Sequence, residues 1–287
     1  MKHSFIKLVA FSIISLALLA GCQSPNLPTG GEVAKRLDWN DFYAGAVQEA
    51  EIDGQTKYLI EGDILASSLS EVQAYYDSLN LDAADGSRAT VNVIRINGGR
   101  YADIYNTTVR GNLKYKIAAD ISSTVRSDLQ WALAQWEAYA GVDFIDVSGS
   151  SQTAVFTIRN ATQSEENALP GVIASAFFPS YSDKTLILFN DFYSLFANGS
   201  FYGWDQKAVL LHELGHGLGL RHEFIWTKSW YGSSWYQSGE TSAEAYLMSA
   251  KRDDYSIMYY PQYSAYKGNG RLSSEDRTWI KWLYPLN

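Results

Sequence analysis

Residues 212–223, which read HELGHGLGLRHE, hold three of the four histidines in this chain of 287 residues. On a helix with 3.6 residues per turn, His212 and His216 project from the same face, close enough to bind one metal ion. A continuous helix would direct His222 to a different side, so the chain must turn sharply before it. Gly219 lies midway and can adopt the left-handed conformation that ends a helix. The sequence therefore predicts a helix that ends near Gly219 and a metal site with three histidine ligands.

Glu213 lies beside the first of these histidines. Its carboxylate cannot easily be a third ligand from that position, but it can accept a proton from a water molecule at the metal. A zinc ion with three protein ligands keeps one position open for water, and this distinguishes a catalytic site from a structural one. Glu213 is therefore the predicted general base. The alternative is a helix whose histidines are solvated or satisfied in the core.

Two further glycines, Gly215 and Gly217, lie inside the predicted helix. Each costs about 1 kcal/mol relative to alanine in that position. We expect both to lie where the helix meets a neighbouring sheet or the following turn.

The spacing of these residues matches a known zinc signature, HExxHxxGxxH, and the chain resembles the metzincin metallopeptidases that carry it. The matching positions are His212, Glu213, His216, Gly219 and His222. The segment SIMYY, residues 256–260, resembles the Met-turn of the same family, in which Met258 would lie under the metal. The alternative for Met258 is an ordinary core methionine. The resemblance covers roughly residues 110–287 and implies a zinc-dependent endopeptidase.

Within the metzincins the chain is most similar to the astacins, which carry Glu after the third histidine and Tyr two residues after the methionine. Glu223 and Tyr260 occupy those positions. The resemblance implies that Tyr260 is an extra zinc ligand that swings away to stabilise the oxyanion, whereas the alternative is a buried tyrosine bonded elsewhere. Glu223 would help to anchor the new N-terminus, or it is a surface carboxylate. The chain lacks the astacin disulfide cysteines, so we expect an astacin-like metzincin rather than a strict astacin.

The resemblance also implies a zincin-like fold of the α+β class, with a twisted mixed sheet, long helices packed on it and an active-site cleft. Serine caps and apolar residues at helical spacing predict helices over residues 122–141 and 272–284. Gly141 would close the first, and the metal-binding helix is predicted over about 205–218. Short strands are predicted at VDFIDV, AVFTIRN and TLILFND. Aromatic residues between 224 and 260 would wall the cleft or belong to the core.

The first 22 residues have the layout of an export signal: two lysines, an apolar run and small residues that end at Cys22. The apolar run is short for a membrane span, which needs roughly 20 residues. Leu19-Ala20-Gly21-Cys22 resembles a bacterial lipobox, which implies removal of residues 1–21 and acylation of Cys22. The alternatives are an uncleaved anchor or an ordinary signal peptide. Residues 22–36 are rich in Pro, Gly and polar residues and are predicted to be a flexible tether.

Residues 37–88 are predicted to form a prosegment, followed by a catalytic domain over 89–287. The prosegment shows a strand-like YLIEGDIL, residues 58–65, and a helical stretch over 67–80. IEGDI, residues 60–64, resembles the FxGD motif of astacin prosegments, which implies that Asp63 replaces the catalytic water on zinc. The alternative is a strand followed by a turn. An activating protease would then remove the prosegment by a cut near residues 86–110.

The net charge of −8 argues against nucleic acid as a partner, because phosphate binding needs clustered basic residues. The expected partners are a protein or peptide substrate and a membrane that binds the lipid on Cys22. We therefore expect a latent, lipid-anchored zinc endopeptidase of the bacterial cell envelope, at the outer membrane or cell surface or released from it. Calcium as a further cofactor has no support in the sequence. The main alternative is a non-catalytic, zinc-containing binding lipoprotein.

Overall fold

The computed structural model describes residues 39–79, 94–97, 101–102, 104–197, 199–201, 204–222, 245–246, 253, 255–259 and 270–286. Cys22, Glu223 and Tyr260 lie outside these residues, as do the predicted signal peptide, the tether, the aromatic segment 224–244 and the predicted boundary at residue 88. All described residues belong to the unit Ala34–Asn287. None of the described helices is long and apolar enough to cross a membrane.

The leader segment, which we define as residues 39–79, forms two helices and a three-stranded antiparallel sheet. Its elements are α1 (Trp39–Ala46), β1 (Val47–Ile52), β2 (Gln55–Ile60), β3 (Ile64–Ala66) and α2 (Leu69–Leu79), with strand order β1-β2-β3. The α2 helix confirms the predicted helical stretch. The prediction of one strand over 58–65 is wrong in its middle, because Glu61 and Gly62 have positive φ angles of 53° and 97°. Left-handed residues reverse an extended chain, so the segment forms a hairpin.

The rest of the chain adds a mixed sheet with helices packed on it. Its elements are β4 (Ile94–Asn97), β5 (Tyr101–Ala102), α3 (Thr107–Arg110), β6 (Leu113–Ile117), α4 (Ser123–Glu137), β7 (Phe144–Asp146), β8 (Phe156–Asn160), α5 (Gln163–Ala168), β9 (Ala174–Ser175), β10 (Thr185–Leu188), α6 (Phe192–Leu195), β11 (Ser200–Phe201), β12 (Trp204–Asp205), α7 (Gln206–Gly217), β13 (Ala245–Tyr246) and α8 (Ser274–Leu283). The five-stranded sheet has the order β7-β6-β8-β10-β9. Its strand pairs are parallel except for β9, which is antiparallel to β10 at one edge. This architecture confirms the predicted α+β class.

The α4 helix packs against α7 and begins as the sequence predicts. The Ser122 hydroxyl accepts a hydrogen bond from the backbone N–H of Val125 at 3.2 Å. The helix ends at Glu137, four residues before the predicted closing Gly141. Gly141 has another role, because an added Cβ would lie 2.1 Å from the carbonyl oxygen of Pro285. Glycine is needed there for close approach of the C-terminal chain rather than for helix termination.

The leader segment does not have a core of its own. Its apolar residues belong to the same buried cluster as those of α4, α7 and the turn that contains Met258. Examples from the leader are Phe42, Ile60, Ile64 and Tyr75, and examples from the other elements are Trp136, Leu214 and Met258. A second, smaller cluster joins Ala50, Ile52 and Leu59 to Leu169, Ile187 and Phe189. A segment of about 50 residues rarely buries enough apolar surface to be stable alone. The leader is therefore stabilised by the body of the protein.

Candidate metal centre

The α7 helix carries the first two histidines through the interior of the protein. Asp205 caps its N-terminus by accepting a hydrogen bond from the backbone N–H of Ala208 at 2.7 Å. Every residue from Ala208 to Gly217 is buried, so the helix is apolar on nearly all sides. It ends where predicted, and Gly219 has a φ of 95°. The left-handed glycine turns the chain back and brings His222 to the same face.

The three histidine side chains meet at one point. Each Nε2 atom of His212, His216 and His222 lies 3.2 Å from the other two. A tetrahedral zinc with Zn–N bonds of 2.0–2.1 Å separates its nitrogen ligands by about 3.3 Å. The triangle of nitrogen atoms therefore has the size of one face of a zinc coordination tetrahedron.

The other ring nitrogen of each histidine is already engaged. The Nδ1 atom of His212 lies 2.9 Å from the carbonyl oxygen of Ile257, and that of His216 lies 2.8 Å from the carbonyl oxygen of Leu220. The Nδ1 atom of His222 lies 3.1 Å from Oε2 of Glu61. Each acceptor requires the proton on Nδ1, which leaves the Nε2 lone pair for a metal. The surroundings thus select the ligand tautomer at all three positions.

Asp63 of the leader segment is the fourth member of the cluster. Its Oδ2 atom lies 2.8 Å from Nε2 of His222, 3.4 Å from that of His212 and 3.9 Å from that of His216. The four candidate ligand atoms all lie within 4.8 Å of one another, and all four residues are buried. Three imidazoles and one carboxylate are a donor set that zinc binds in tetrahedral geometry. These residues fit the zinc ion that the sequence predicts.

Burial and charge set the protonation of the site. Burial lowers the pKa of His212 and holds that of His216 well below its ordinary value, so both rings are neutral, as metal ligands must be. For His222, burial lowers the pKa, but the charge of Asp63 and hydrogen bonds to Asp63 and Glu61 outweigh it and raise the pKa to about 9. Two buried carboxylates thus stabilise positive charge at the third histidine. The same field stabilises a cation held by the three rings.

Glu213 lies beside this cluster in an apolar environment. Burial, followed by the negative charge of Asp63, raises the pKa of Glu213 well above its ordinary value. Its Oε2 atom is buried and has no hydrogen-bond partner among the described residues. Buried polar atoms are nearly always paired, and an exception points to a water molecule, an ion or a catalytic role. A divalent cation at the histidines would favour the ionised form of this carboxyl group.

Met258 packs against the metal-binding helix α7 at Gly215. It is buried, and an added Cβ on Gly215 would lie 2.5 Å from its sulfur atom. An added Cβ on Gly217 would lie 3.3 Å from the ring of Phe177. Gly217 therefore faces Phe177, two residues after the edge strand β9, whereas Gly215 provides room for Met258 and for Trp136 of α4. A larger residue at 215 would displace the methionine from the helix.

Asp276 of α8 holds the turn that contains Met258. Its carboxylate accepts hydrogen bonds from the Ser256 hydroxyl at 2.6 Å and from the backbone N–H of Ile257 at 2.8 Å. It also accepts one from the backbone N–H of Ser273, the residue whose hydroxyl caps α8 in a capping box. The predicted serine cap is therefore confirmed at Ser273. Because the carbonyl of Ile257 bonds the ring of His212, the α8 N-terminus is linked to the metal site through the turn.

The position of Asp276 leads to a prediction about stability and pH. Burial raises its pKa from 3.8 to about 6, against the effect of its hydrogen bonds. A raised carboxyl pKa contributes stability that is complete below about pH 4 and is lost as the pH rises through about 6. We expect the unfolding free energy of the wild type, relative to Asp276→Asn, to fall by about 2 kcal/mol between pH 4.5 and pH 7. Urea unfolding at both pH values measures this difference, and a constant difference would contradict it.

Sequence reasoning missed one part of the site, a buried ion pair between the leader and the metal-binding segment. The Nη2 atom of Arg221 donates to Oε1 of Glu61 at 3.2 Å and to the hydroxyl of Tyr75, and its guanidinium lies over the Tyr75 ring. Glu61 and Arg221 are only 2% and 1% exposed. Both partners of the arginine come from the leader, 146 and 160 residues away in the chain. No local pattern in the sequence signals such a distant pair.

Comparison with known proteins gives a match over the part of the chain that contains the three clustered histidines. The family model described as Peptidase_M10, matrixin, matches residues 106–230, a range that contains α7 and all three histidines. Matrix metalloproteinase-17 of Homo sapiens is 30% identical over 104 residues, and matrix metalloproteinase-25 of Mus musculus is 33% identical over 105 residues. Each match covers 34% of this chain and 17% of the relative. The chain therefore spans about a sixth of the length of these relatives.

Two solved structures align with part of this chain. Myroilysin aligns with a TM-score of 0.44 and 18% identity, over 64% of this chain and 97% of that chain. High choriolytic enzyme 1, a hatching enzyme zinc-protease from Oryzias latipes, aligns with a TM-score of 0.39 and 15% identity, over 72% of this chain and 100% of that chain.

Proposed function

We propose that this chain carries a metzincin-type zinc-protease domain and is a zinc-dependent endopeptidase that hydrolyses peptide bonds in proteins and is made as a latent precursor. The matrixin match over residues 106–230 supports the domain assignment. The observation that carries the proposal is the juxtaposition of three Nε2 atoms 3.2 Å apart with the buried carboxyl oxygen of Glu213, which has no hydrogen-bond partner among the described residues. A structural zinc site has no need of such a carboxyl group. The finer assignment to an astacin-like group stays a prediction.

The proposed chemistry divides the work among the residues of α7 and its turn. When bound by His212, His216 and His222, zinc supplies a Lewis acid that lowers the pKa of water and polarises a carbonyl group. Glu213 accepts the proton of the attacking water and transfers it to the leaving amine. Burial and the charge of Asp63 raise the pKa of Glu213, so the carboxyl group holds a proton more readily than an exposed glutamate does. Tyr260, which lies outside the described residues, is the proposed donor to the oxyanion.

The leader segment supports the proposal of latency. The backbone N–H of Leu65 donates to the carbonyl of Ala176 at 3.2 Å, and the N–H of Ala176 donates to the carbonyl of Asp63 at 2.7 Å. Ala176 directly follows β9, the edge strand of the five-stranded sheet. An extended peptide binds to a sheet edge through such backbone hydrogen bonds. The leader occupies both this edge and the fourth ligand position, so it would exclude substrate and water together.

The remaining features of the proposal concern the ends of the precursor. We propose that Cys22 carries the lipid, that the protein belongs to the bacterial cell envelope, and that another protease cuts between the leader and the domain, near residues 86–110. The lipobox-like sequence and the apolar run before it support the first two points.

A second candidate function has one observation in its favour. Asp63 closes the donor set to three histidines and one carboxylate, and a closed four-ligand set is typical of structural zinc. A non-catalytic, zinc-containing binding lipoprotein would have such a site permanently. The two candidates differ in what removal of the leader does, since only the enzyme gains a reactive site.

The test is hydrolysis of casein by residues 23–287 before and after light trypsin treatment, with zinc content measured in parallel. We expect no hydrolysis before treatment, clear hydrolysis after it, and complete loss with a zinc chelator, because trimming would open the fourth position. Zinc restored after chelation should recover the activity. If zinc-loaded, trimmed protein hydrolyses neither casein nor gelatin, the binding lipoprotein becomes the better candidate.

A further inference from the structure

Glu61 connects the leader segment to the third histidine. Its Oε2 atom lies 3.1 Å from Nδ1 of His222, and its Oε1 atom accepts a hydrogen bond from Arg221 at 3.2 Å. The carboxylate is completely buried, as are the two side chains that it joins. The Nδ1 atoms of His212 and His216 face backbone carbonyl oxygens, whereas the Nδ1 atom of His222 faces this charged side chain.

The backbone conformation of Glu61 is unfavourable for its residue type. Its φ is 53°, in the left-handed region, which costs an L-residue other than Gly, Asn or Asp roughly 1–2 kcal/mol. The neighbouring Gly62 also has a positive φ and pays no such cost. Strained residues persist where the surrounding contacts require their side chain. The carboxylate of Glu61 contacts Arg221 and His222, and we infer that these contacts hold the residue in its strained conformation.

A carboxylate on the outer nitrogen of a metal-binding histidine has a known physical effect. It fixes the ring orientation and the Nδ1–H tautomer and makes Nε2 a more basic ligand, and its loss typically weakens metal binding about 10- to 100-fold. Glu61 also shares its charge between two positive groups, because one oxygen faces Arg221 and the other faces the histidine. Without it, a buried guanidinium and a metal-bound imidazole would have no common counter-charge.

We propose that Glu61 is a positioning residue for His222, and that the leader thereby increases the affinity of the precursor for zinc. The leader then has two effects on the metal site through one turn: Asp63 fills the fourth position and Glu61 orients the third histidine. Zinc is loaded into the precursor, and removal of the leader leaves a domain that holds zinc more weakly. The inference rests on the zinc site of the proposed function but not on peptidase activity.

The experiment measures zinc affinity of the full chain, residues 23–287, by competition with a chromophoric chelator. Glu61→Gln keeps the shape of the side chain and removes its charge, and we expect the zinc Kd to rise about 10- to 100-fold. Glu61→Gly removes the side chain and relieves the left-handed strain, but it leaves the buried Arg221 without its counter-charge, so we expect it to weaken zinc binding and also to lower the stability of the zinc-free protein. The stability of the zinc-free protein separates a metal effect from a folding effect.

Asp53→Asn is the matched control. Asp53 is an exposed acidic residue of the same leader, in another turn, with a left-handed φ of 52°. Its replacement removes the same charge from the same kind of backbone, so zinc binding should stay within about twofold of the wild type. The proposal is overturned if Glu61→Gln and Glu61→Gly bind zinc as tightly as the wild type, or if Asp53→Asn weakens binding equally. Because hydrolysis is not the readout, a failure here and a failure of the proposed activity are separate results.

Discussion

Replacing Glu213 by Gln is expected to lower kcat for peptide hydrolysis about 10²- to 10⁴-fold in the trimmed protein, while the zinc content stays that of the wild type. An amide has the shape of the carboxyl group but cannot accept a proton from water or deliver it to the leaving amine. The side chain is not among the four candidate ligands, so its replacement should leave metal binding intact. Steady-state kinetics on a quenched-fluorescence peptide, with zinc measured by atomic absorption, give both quantities.

A matched control for this variant is Glu166→Gln on α5. Glu166 makes its contact with the backbone N–H of Asn190 and not with the histidines, so its replacement should leave kcat unchanged. If zinc-loaded Glu213→Gln retains more than about a tenth of the wild-type kcat, Glu213 is not the general base. Loss of activity together with loss of zinc would instead indicate damage to the metal site.

The parts of the structure that follow from local rules could be predicted from the sequence. The i, i+4 spacing of His212 and His216, the left-handed Gly219 and the serine cap of α8 depend only on helix geometry and on nearby backbone groups. These features appear as expected, and they include the core of the metal site. The sequence therefore predicts which side chains meet when they lie within about ten residues of one another in the chain, as His212 and His222 do.

The parts that were missed depend on contacts between distant segments. Gly141 looked like a helix terminator, but it admits the carbonyl of Pro285, and Gly215 admits the sulfur atom of Met258. The strand predicted through Glu61 is a turn because the carboxylate must reach Arg221, 160 residues away. Periodicity describes an element and its exposed or buried face, and it carries no information on which remote residue packs against that face. The signal that the sequence did offer was a glycine inside or near a helix, because glycine lowers helix stability and is kept there when another segment approaches closely.

Replacing Asp63 by Ala is expected to give hydrolysis by the uncut precursor. The carboxylate lies 2.8 Å from His222 and is 4% exposed, and charge-assisted contacts of this kind contribute about 1.5–3 kcal/mol. Their loss should raise the fraction of molecules with an open site, and so the activity of uncut protein, about 10- to 100-fold. The rate should stay below that of trimmed protein, because the hydrogen bonds to Ala176, the Glu61–Arg221 pair and the shared apolar core still hold the leader.

The assay for this variant needs saturating zinc, since removal of a candidate ligand also weakens metal binding. Uncut Asp63→Ala is compared with uncut wild type and with uncut Asp53→Ala. Asp53 is an exposed leader residue whose backbone N–H donates to the Ser164 hydroxyl rather than contacting the histidines. Gel electrophoresis before and after the assay establishes that the chain is still uncut. If Asp63→Ala stays as inactive as the wild type while its trimmed form hydrolyses substrate, the rest of the leader alone causes latency. Activity in the uncut variant would instead show that one carboxylate blocks the site, because every other contact of the leader is unchanged.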